Sequence, residues 1–258
     1  MHPPYTLEIC TGSINSVKAA LSGGAHRIEL CAALTEGGLT PSAGLLAYAC
    51  NQPDLEVHVL IRPRSGDFLY NQAEVDVMLQ DIQLARQLGA RGIVVGALTP
   101  TGDIDTDIMQ SLIHQAGPME VTFHRAFDMC RQPLSALQTI IRLGCRYLLT
   151  SGQAPCACEG QNLLRQLAQE AAQTPLSVMA GGGINSRNIA ILAQATGLTT
   201  FHASASQWVN SQMQYCQSEV SMSSATKTNE YATLQTSPEK VRALFKALQS
   251  ISTNETPS

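Results

Sequence analysis

Eight short apolar segments alternate with segments of helical periodicity along the chain, and this alternation limits the possible folds more than any other feature. Several of the helical segments end at a glycine, which tolerates the left-handed conformation that closes a helix. Eight strand–helix repeats predict an α/β fold of the TIM type, a closed (β/α)8 barrel. A doubly wound open sheet is the alternative, but its main glycine loop would follow the first strand, whereas here it follows the seventh.

The repeat can be followed from residue 6 to residue 203. The predicted strands are residues 6–10, 27–30, 56–61, 92–95, 120–124, 147–150, 177–180 and 200–203, and the predicted helices are residues 13–22, 41–49, 73–88, 105–115, 133–143, 161–172 and 185–195. Residues 204–258 depart from the repeat, because residues 218–237 have a loop-like composition and residues 238–250 have helical periodicity. We therefore expect residues 1–258 to form a single barrel domain with an atypical C-terminal loop and last helix.

The composition argues against several classes of partner. Hydrophobic residues make up 44% of the chain and charged residues 14%, which is enough apolar material for a large core. The net charge of −4 and the lack of a basic block predict that the protein binds neither nucleic acid nor membrane. The N-terminal residues do not resemble a signal peptide, so we expect a cytoplasmic protein in which the eight cysteines are reduced.

The first two predicted strands share a pattern of glutamate and cysteine. Glu8 and Cys10 recur 21 residues later as Glu29 and Cys31. Alternate residues of a strand point to the same face, so all four side chains are expected inside the barrel. The two thiols either pack as small hydrophobes or bind a soft ion such as Cu(I), and their spacing alone favours packing. The two buried carboxylates need cationic partners.

Two arginines follow the third predicted strand. Arg62 and Arg64 flank a proline, and guanidinium groups suit contacts with carboxylate or phosphate. One interpretation is therefore an anion clamp. The other is that Arg62 pairs internally with Glu8 or Glu29, while Arg64 and Asp67 brace the loop.

The fifth predicted strand leads into three polar side chains, His124, Arg125 and Asp128. Histidine titrates near neutral pH, so His124 is a candidate general acid or base, and Asp128 could orient it or act as its partner base. A single histidine is more often structural, but its position at a strand exit beside ionic residues favours a functional role. Arg125 is a candidate anion ligand.

The loops after the last three strands supply further candidates. Loops after strands seven and eight of this fold often bind phosphate, and glycines let the backbone approach an anion. A tight turn would need about one glycine, whereas three occur together here. The candidate anion ligands on these loops are Ser151, Gly181, Gly182, Gly183 and Ser204. Cys156 and Cys158 could chelate a metal, but no further ligands lie near them in the sequence, which favours an incidental loop feature.

Taken together, these strand-end motifs resemble those of the CutC copper-homeostasis family. The matching segments are residues 29–32 (Glu-Leu-Cys-Ala), 36–41, 61–68 (Ile-Arg-Pro-Arg-Ser-Gly-Asp-Phe), 121–128 (Val-Thr-Phe-His-Arg-Ala-Phe-Asp), 149–152 and 181–184. The resemblance implies a cytoplasmic TIM-barrel protein that forms homodimers or larger homo-oligomers and binds copper. By the same resemblance, Cys10 and Cys31 match positions proposed as copper ligands. No nucleotide cofactor is predicted.

Three hypotheses follow for the strand ends. The first is a copper-homeostasis protein that holds Cu(I) through Cys10 and Cys31. The second is an enzyme acting on a small anionic or phosphorylated metabolite. Its anion would be held by the arginines and the glycine loop, and protons would be moved by His124, Asp128, Glu8 or Glu29. The third is that the ionic residues only close the barrel, with both glutamates paired to Arg62 and Arg125. All three require the motifs to meet at one mouth of the barrel.

Overall fold

Eight parallel strands, paired in sequence order, close into a barrel because the eighth pairs with the first. The computed structural model describes residues 5–217, 219–220 and 229–254. The barrel strands are β1 (Thr6–Thr11), β2 (Arg27–Leu30), β3 (Glu56–Leu60), β4 (Gly92–Val95), β5 (Glu120–Phe123), β6 (Tyr147–Thr150), β7 (Ser177–Ala180) and β8 (Thr200–Ala203). The predicted (β/α)8 barrel is confirmed. The first and last residues of each strand differ from the predicted ones by at most one position.

Helices surround the strands and follow them in the chain. They are α1 (Ile14–Ser22), α2 (Ala43–Cys50), α3 (Gln72–Gln87), α4 (Thr106–Ala116), α5 (Pro133–Arg142), α6 (Gln161–Ala171), α7 (Ile189–Thr196) and α8 (Pro238–Asn254). Side-chain caps begin several of them; for example, Ser13 accepts a hydrogen bond from Ser16 N, and Asp105 accepts one from Ile108 N. None of the helices in the described ranges has both the length and the apolarity that crossing a membrane requires.

The strands separate an apolar layer from a polar barrel interior. Outward-facing side chains such as Ile9, Ile28 and Phe123 are fully buried and form the main core with the helices. Alternate positions face inward, where a smaller cluster contains Cys10, Cys31, Leu60 and Val94. The inward positions of several strands carry ionisable groups, so ionisable side chains are concentrated inside the barrel.

An antiparallel hairpin follows the barrel and corrects one prediction. Strands β9 (Ser206–Asn210) and β10 (Ala232–Thr236) pair with each other, so the prediction that residues 218–237 form only a loop is wrong over β10. Residues 218 and 221–228 of that segment lie outside the described residues. Strand β10 is short and polar, and its partner is distant in sequence, so local pattern did not reveal it. The predicted last helix is confirmed as α8.

Candidate functional site

The base of the site is a buried ion pair inside the barrel. Glu8 is fully buried; Arg27 Nε donates to its Oε2 at 2.7 Å, and His202 Nδ1 donates to its Oε1 at 2.8 Å. The Arg27 guanidinium also lies 3.9 Å from the ring centroid of Tyr147. Burial alone would raise the pKa of Glu8, but the charges of Arg27 and His202 outweigh it and hold this pKa well below its usual value. The interpretation that Arg62 pairs with Glu8, one of the two offered for that arginine, is therefore wrong.

Above this pair lies a group of four residues, Cys10, Cys31, Glu29 and His202, which we call the thiol cluster. The two Sγ atoms are 3.6 Å apart, and His202 Nε2 is 3.6 Å from Glu29 Oε2. One ligand atom each from Cys10, Glu29 and His202 lies within 4.8 Å of the other two. Thiol, imidazole and carboxylate groups are thus close enough to share one metal ion.

The thiol cluster is strongly perturbed electrostatically. The neighbouring Cys31 thiol and burial raise the pKa of Cys10 well above its usual value, so Cys10 is a neutral thiol in the metal-free protein. Burial also raises the pKa of Glu29. Burial opposes the charged form of His202, but the carboxylates of Glu29 and Glu8 outweigh this and raise the pKa of the imidazole. Metal binding here would therefore have to displace protons.

A cavity of about 310 Å³ opens above the thiol cluster at the carboxyl ends of the strands. It brings together most of the residues predicted from the sequence. Its lining includes Cys10, Glu29, Arg62, Phe68, His124, Arg125, Gly182, Gly183, His202 and Ser204. The other predicted residues do not line the cavity: Glu8 and Cys31 are fully buried beside lining residues, and Arg64, Asp128, Ser151 and Gly181 lie outside the lining.

His124 presents a neutral hydrogen-bond donor to the cavity. Its Nδ1 accepts a hydrogen bond from Ala126 N at 3.2 Å, so the ring proton is on Nε2. Nε2 is buried and has no hydrogen-bond partner among the described residues. Burial and the charge of Arg62 lower the pKa of His124 to about 3, which keeps the imidazole uncharged at neutral pH.

The two arginines after β3 have different surroundings. Arg62 is buried, and its two terminal nitrogens donate to the backbone carbonyls of Glu36, Gly38 and Gly66. It lines the cavity but has no salt bridge to Glu8 or Glu29, which corrects that prediction. Arg64 instead binds carboxylates and carbonyls of its own loop and of α3, in agreement with the interpretation that it braces the loop.

Asp128 positions Arg125. Its carboxylate accepts hydrogen bonds from Arg125 Nε at 2.7 Å, from Thr150 Oγ1, and from the backbone and hydroxyl of Ser151. Gln153 N donates to it as well. The carboxylate is thus used to fix the loop after β6 and to hold the guanidinium at the cavity, and the structure leaves it no free oxygen to act as a base.

The three glycines after β7 are required for two different reasons. A Cβ atom on Gly181 would lie 2.5 Å from Leu149 Cδ1, so a side chain at this position would require the buried Leu149 side chain to shift. Gly182 and Gly183 have φ angles of +91° and +76°, which side chains rarely adopt. A Cβ atom on Gly182 would also lie 3.5 Å from the Arg125 guanidinium, so the turn passes directly under that cation.

A second, more open cleft of about 470 Å³ shares Gly183 and Ser204 with the cavity. Its cations are Arg187 and Lys240, both exposed. Lys240 Nζ donates to the carbonyl of Ser206. None of the buried unpartnered polar atoms in the described part of the chain belongs to this cleft, so we assign the chemistry to the smaller cavity.

Sequence reasoning missed His202, which belongs to both the ion pair and the thiol cluster. The signal was present, because His202 lies in β8 two residues before Ser204, and alternate residues of an extended chain point to the same side. Arg27 was missed in the same way, two residues before Glu29.

Comparison with known proteins shows the family to which the chain belongs. The sequence profile of the CutC family matches residues 5–207. The chain belongs to the CutC family. A CutC family protein from Chromobacterium violaceum is 50% identical over 242 residues, which cover 94% of this chain and 97% of that protein. One from Bacteroides thetaiotaomicron is 46% identical over 247 residues, which cover 95% and 99%. The resemblance inferred from the motifs is confirmed.

Solved structures give the same fold. The protein from Streptococcus agalactiae named copper homeostasis protein CutC superposes with a TM-score of 0.74 at 28% identity, covering 78% of this chain and 98% of that one. Thiamine phosphate pyrophosphorylase from Pyrococcus furiosus superposes with a TM-score of 0.58 at 16% identity, covering 96% and 98%. At that identity the second likeness concerns the barrel fold alone.

Proposed function

We propose that the protein binds one Cu(I) ion at the thiol cluster and acts in copper homeostasis in the cytoplasm. The observation that carries the proposal is the 3.6 Å separation of Cys10 Sγ and Cys31 Sγ at the mouth of the barrel. Thiolates are soft ligands and favour Cu(I) over hard cations. The name of the Streptococcus agalactiae relative and the free state of all eight cysteines support the proposal.

The neighbouring groups fit a copper site. Cys10 and Cys31 would supply sulfur, and His202 and Glu29 lie close enough to complete the ligand set or to accept the displaced protons. The mouth of the barrel provides the entry path through the cavity. The apolar side chains of Leu60 and Val94 lie beside the thiols and would shield the bound metal from water.

The first prediction concerns the two cysteines. In a Cu(I) titration against a chromogenic chelator, the natural protein should take up about one equivalent. The Cys10→Ser, Cys31→Ser double variant should take up essentially none, because hydroxyl groups are poor ligands for a soft ion. The Cys156→Ser, Cys158→Ser double variant is the matched control and should bind like the natural protein. Undiminished uptake by the Cys10→Ser, Cys31→Ser variant would refute the site.

We also propose that the protein self-associates. Strand β9 and the chain that follows it towards β10 expose Trp208, Met213 and Tyr215, each with more than half of its surface accessible, and such apolar surface is typical of an interface. Light scattering should give a mass of at least about twice the 27.6 kDa of one chain. A mass of one chain would contradict this proposal.

A second candidate function is acid–base catalysis on a small anionic metabolite. The observation that favours it is that Glu29 and His124 line one cavity while their surroundings raise the pKa of the first and lower that of the second. Pairs of titratable groups whose pKa values are shifted in opposite directions are common at catalytic sites. Glu8 and Asp128 are left out of this candidate because each carboxylate is held in an ion pair of 2.7 Å with an arginine, whereas Glu29 lies 3.6 Å from His202. It requires that the cavity bind an anion.

A further inference from the structure

Arg62 is a buried cation that has no anionic partner in the part of the chain that the structure describes. Only 7% of the residue is exposed, yet its guanidinium contacts three backbone carbonyls and takes part in no salt bridge within the described ranges. Buried charges are normally paired, because removing an ion from water is costly. None of the described acidic residues therefore compensates the positive charge of Arg62 at the cavity wall.

The carboxylates near the cavity do not supply the missing charge. Glu8 is paired with Arg27 at 2.7 Å, and Glu29 is placed 3.6 Å from His202. Asp128 is paired with Arg125. Each of these acids has its own cationic partner, which leaves Arg62 as the buried cation without one among the described residues.

Residues that line the cavity also carry hydrogen-bond donors without a partner in the described chain. Arg62 Nε and His124 Nε2 are both buried without a hydrogen-bond partner, and both residues line the cavity. Arg125 Nε and Nη2 are held by Asp128 and Ser151, which leaves Nη1 above Gly182. Arg62, after β3, and His124 and Arg125, after β5, thus bring three nitrogen donors to the lining of one cavity, which also holds the unpaired charge of Arg62.

We propose that the cavity binds a small carboxylate or phosphate anion through Arg62, His124 and Arg125. The inference names the ligand class of the second candidate function and does not depend on copper binding. Guanidinium groups recognise both kinds of anion, and a neutral Nε2–H group can donate to either. A volume of about 310 Å³ is at the lower end of the range for ligand sites, so it suits a small metabolite rather than a nucleotide.

The test is isothermal titration of the metal-free protein with inorganic phosphate and, separately, with succinate. At least one of the two should bind with a stoichiometry of one site per chain. Arg125→Met should weaken this binding about tenfold or more, because it removes a charge-assisted hydrogen bond. His124→Asn should weaken it as well, while the asparagine oxygen can still accept the hydrogen bond from Ala126 N. Circular dichroism verifies that each variant is folded.

Arg187→Met is the matched control, because Arg187 is an exposed arginine of the neighbouring cleft. It should bind the anion like the natural protein. Loss of binding in Arg187→Met with normal binding in Arg125→Met would place the anion in that cleft and overturn the proposal. Failure of both phosphate and succinate to bind the natural protein at millimolar concentrations would also overturn it.

The cysteine variant separates this site from the copper site. The Cys10→Ser, Cys31→Ser variant should keep its affinity for the anion whatever the copper titration shows, because neither thiol is among the three proposed donors. If this folded variant lost the anion, the ligand would be held at the thiol cluster, and the assignment to Arg62, His124 and Arg125 would be wrong.

Discussion

Replacing Glu8 by alanine is expected to lower the free energy of unfolding by about 3–5 kcal/mol, the cost of breaking a buried ion pair by removing one partner. The variant would leave Arg27 in the barrel with only 3% of its surface exposed and no carboxylate partner. The ring of Tyr147 would remain beside the guanidinium but cannot replace a full negative charge. Urea denaturation measures the change.

An exposed ion pair provides the control. Asp103 and Arg131 are 2.9 Å apart, and both side chains are largely accessible. Asp103→Ala should therefore change the free energy of unfolding by at most about 1 kcal/mol. Equal effects of Glu8→Ala and Asp103→Ala would contradict the role given to the buried pair. A combined Glu8→Leu, Arg27→Met variant should be more stable than Glu8→Ala, because no charge is left unpaired.

The ion pair of Glu8 and Arg27 also determines the direction in which stability changes with pH. The pKa of Glu8 is depressed in the folded protein, so the unfolded chain binds the proton more readily. The contribution of the ionised Glu8 to the free energy of unfolding is complete above the pKa of the unfolded chain, about 4.3. It is lost as the pH falls towards the lower pKa of the folded protein. The difference in stability between the natural protein and Glu8→Ala should therefore shrink on acidification below about pH 4. A difference that grows there would contradict this assignment.

Gly160→Ala is expected to destabilise the protein by about 3 kcal/mol or more, at or above the upper end of the usual overpacking cost. A Cβ atom at Gly160 would lie near the carbonyl oxygen of Ser151 and 2.9 Å from Gly152 Cα, so the backbone itself would have to move. This movement would displace the loop whose amides bind Asp128. Because Asp128 positions Arg125, the variant should also bind the proposed anion more weakly.

Gly44→Ala is the control for this substitution. Gly44 lies in α2 with open space around its would-be Cβ atom, so alanine should raise the free energy of unfolding by about 0.5–1 kcal/mol through helix propensity. Urea denaturation of both variants gives the comparison. If Gly160→Ala were as stable as the natural protein, the loop after β6 would tolerate a side chain at this position. That result would contradict the predicted clash with the backbone.

The barrel could be predicted from the sequence because its signals are local. Apolar runs, glycine stops and capping residues each act within a few positions of the chain, and eight repeats leave few alternative folds. Strand alternation also placed Cys10 and Glu29 at the mouth. Strand β10 was missed because its residues are mostly polar and its pairing with β9 joins distant parts of the chain.

The pairing of charges could not be predicted in the same way. One interpretation of the sequence paired Glu8 with Arg62, but the register of β1 and β2 sets Glu8 beside Arg27. The same interpretation paired Arg62 with an acid of the chain, but its guanidinium donates to loop carbonyls. Partners of this kind depend on register and loop geometry between elements, which a single sequence does not specify.

An anomalous difference map from Cu(I)-loaded crystals, recorded at the copper absorption edge, would show where the metal binds. The proposed function predicts one peak per chain, within bonding distance of Cys10 Sγ and Cys31 Sγ and adjacent to His202. A peak at Cys156 and Cys158, with none at the mouth of the barrel, would contradict it.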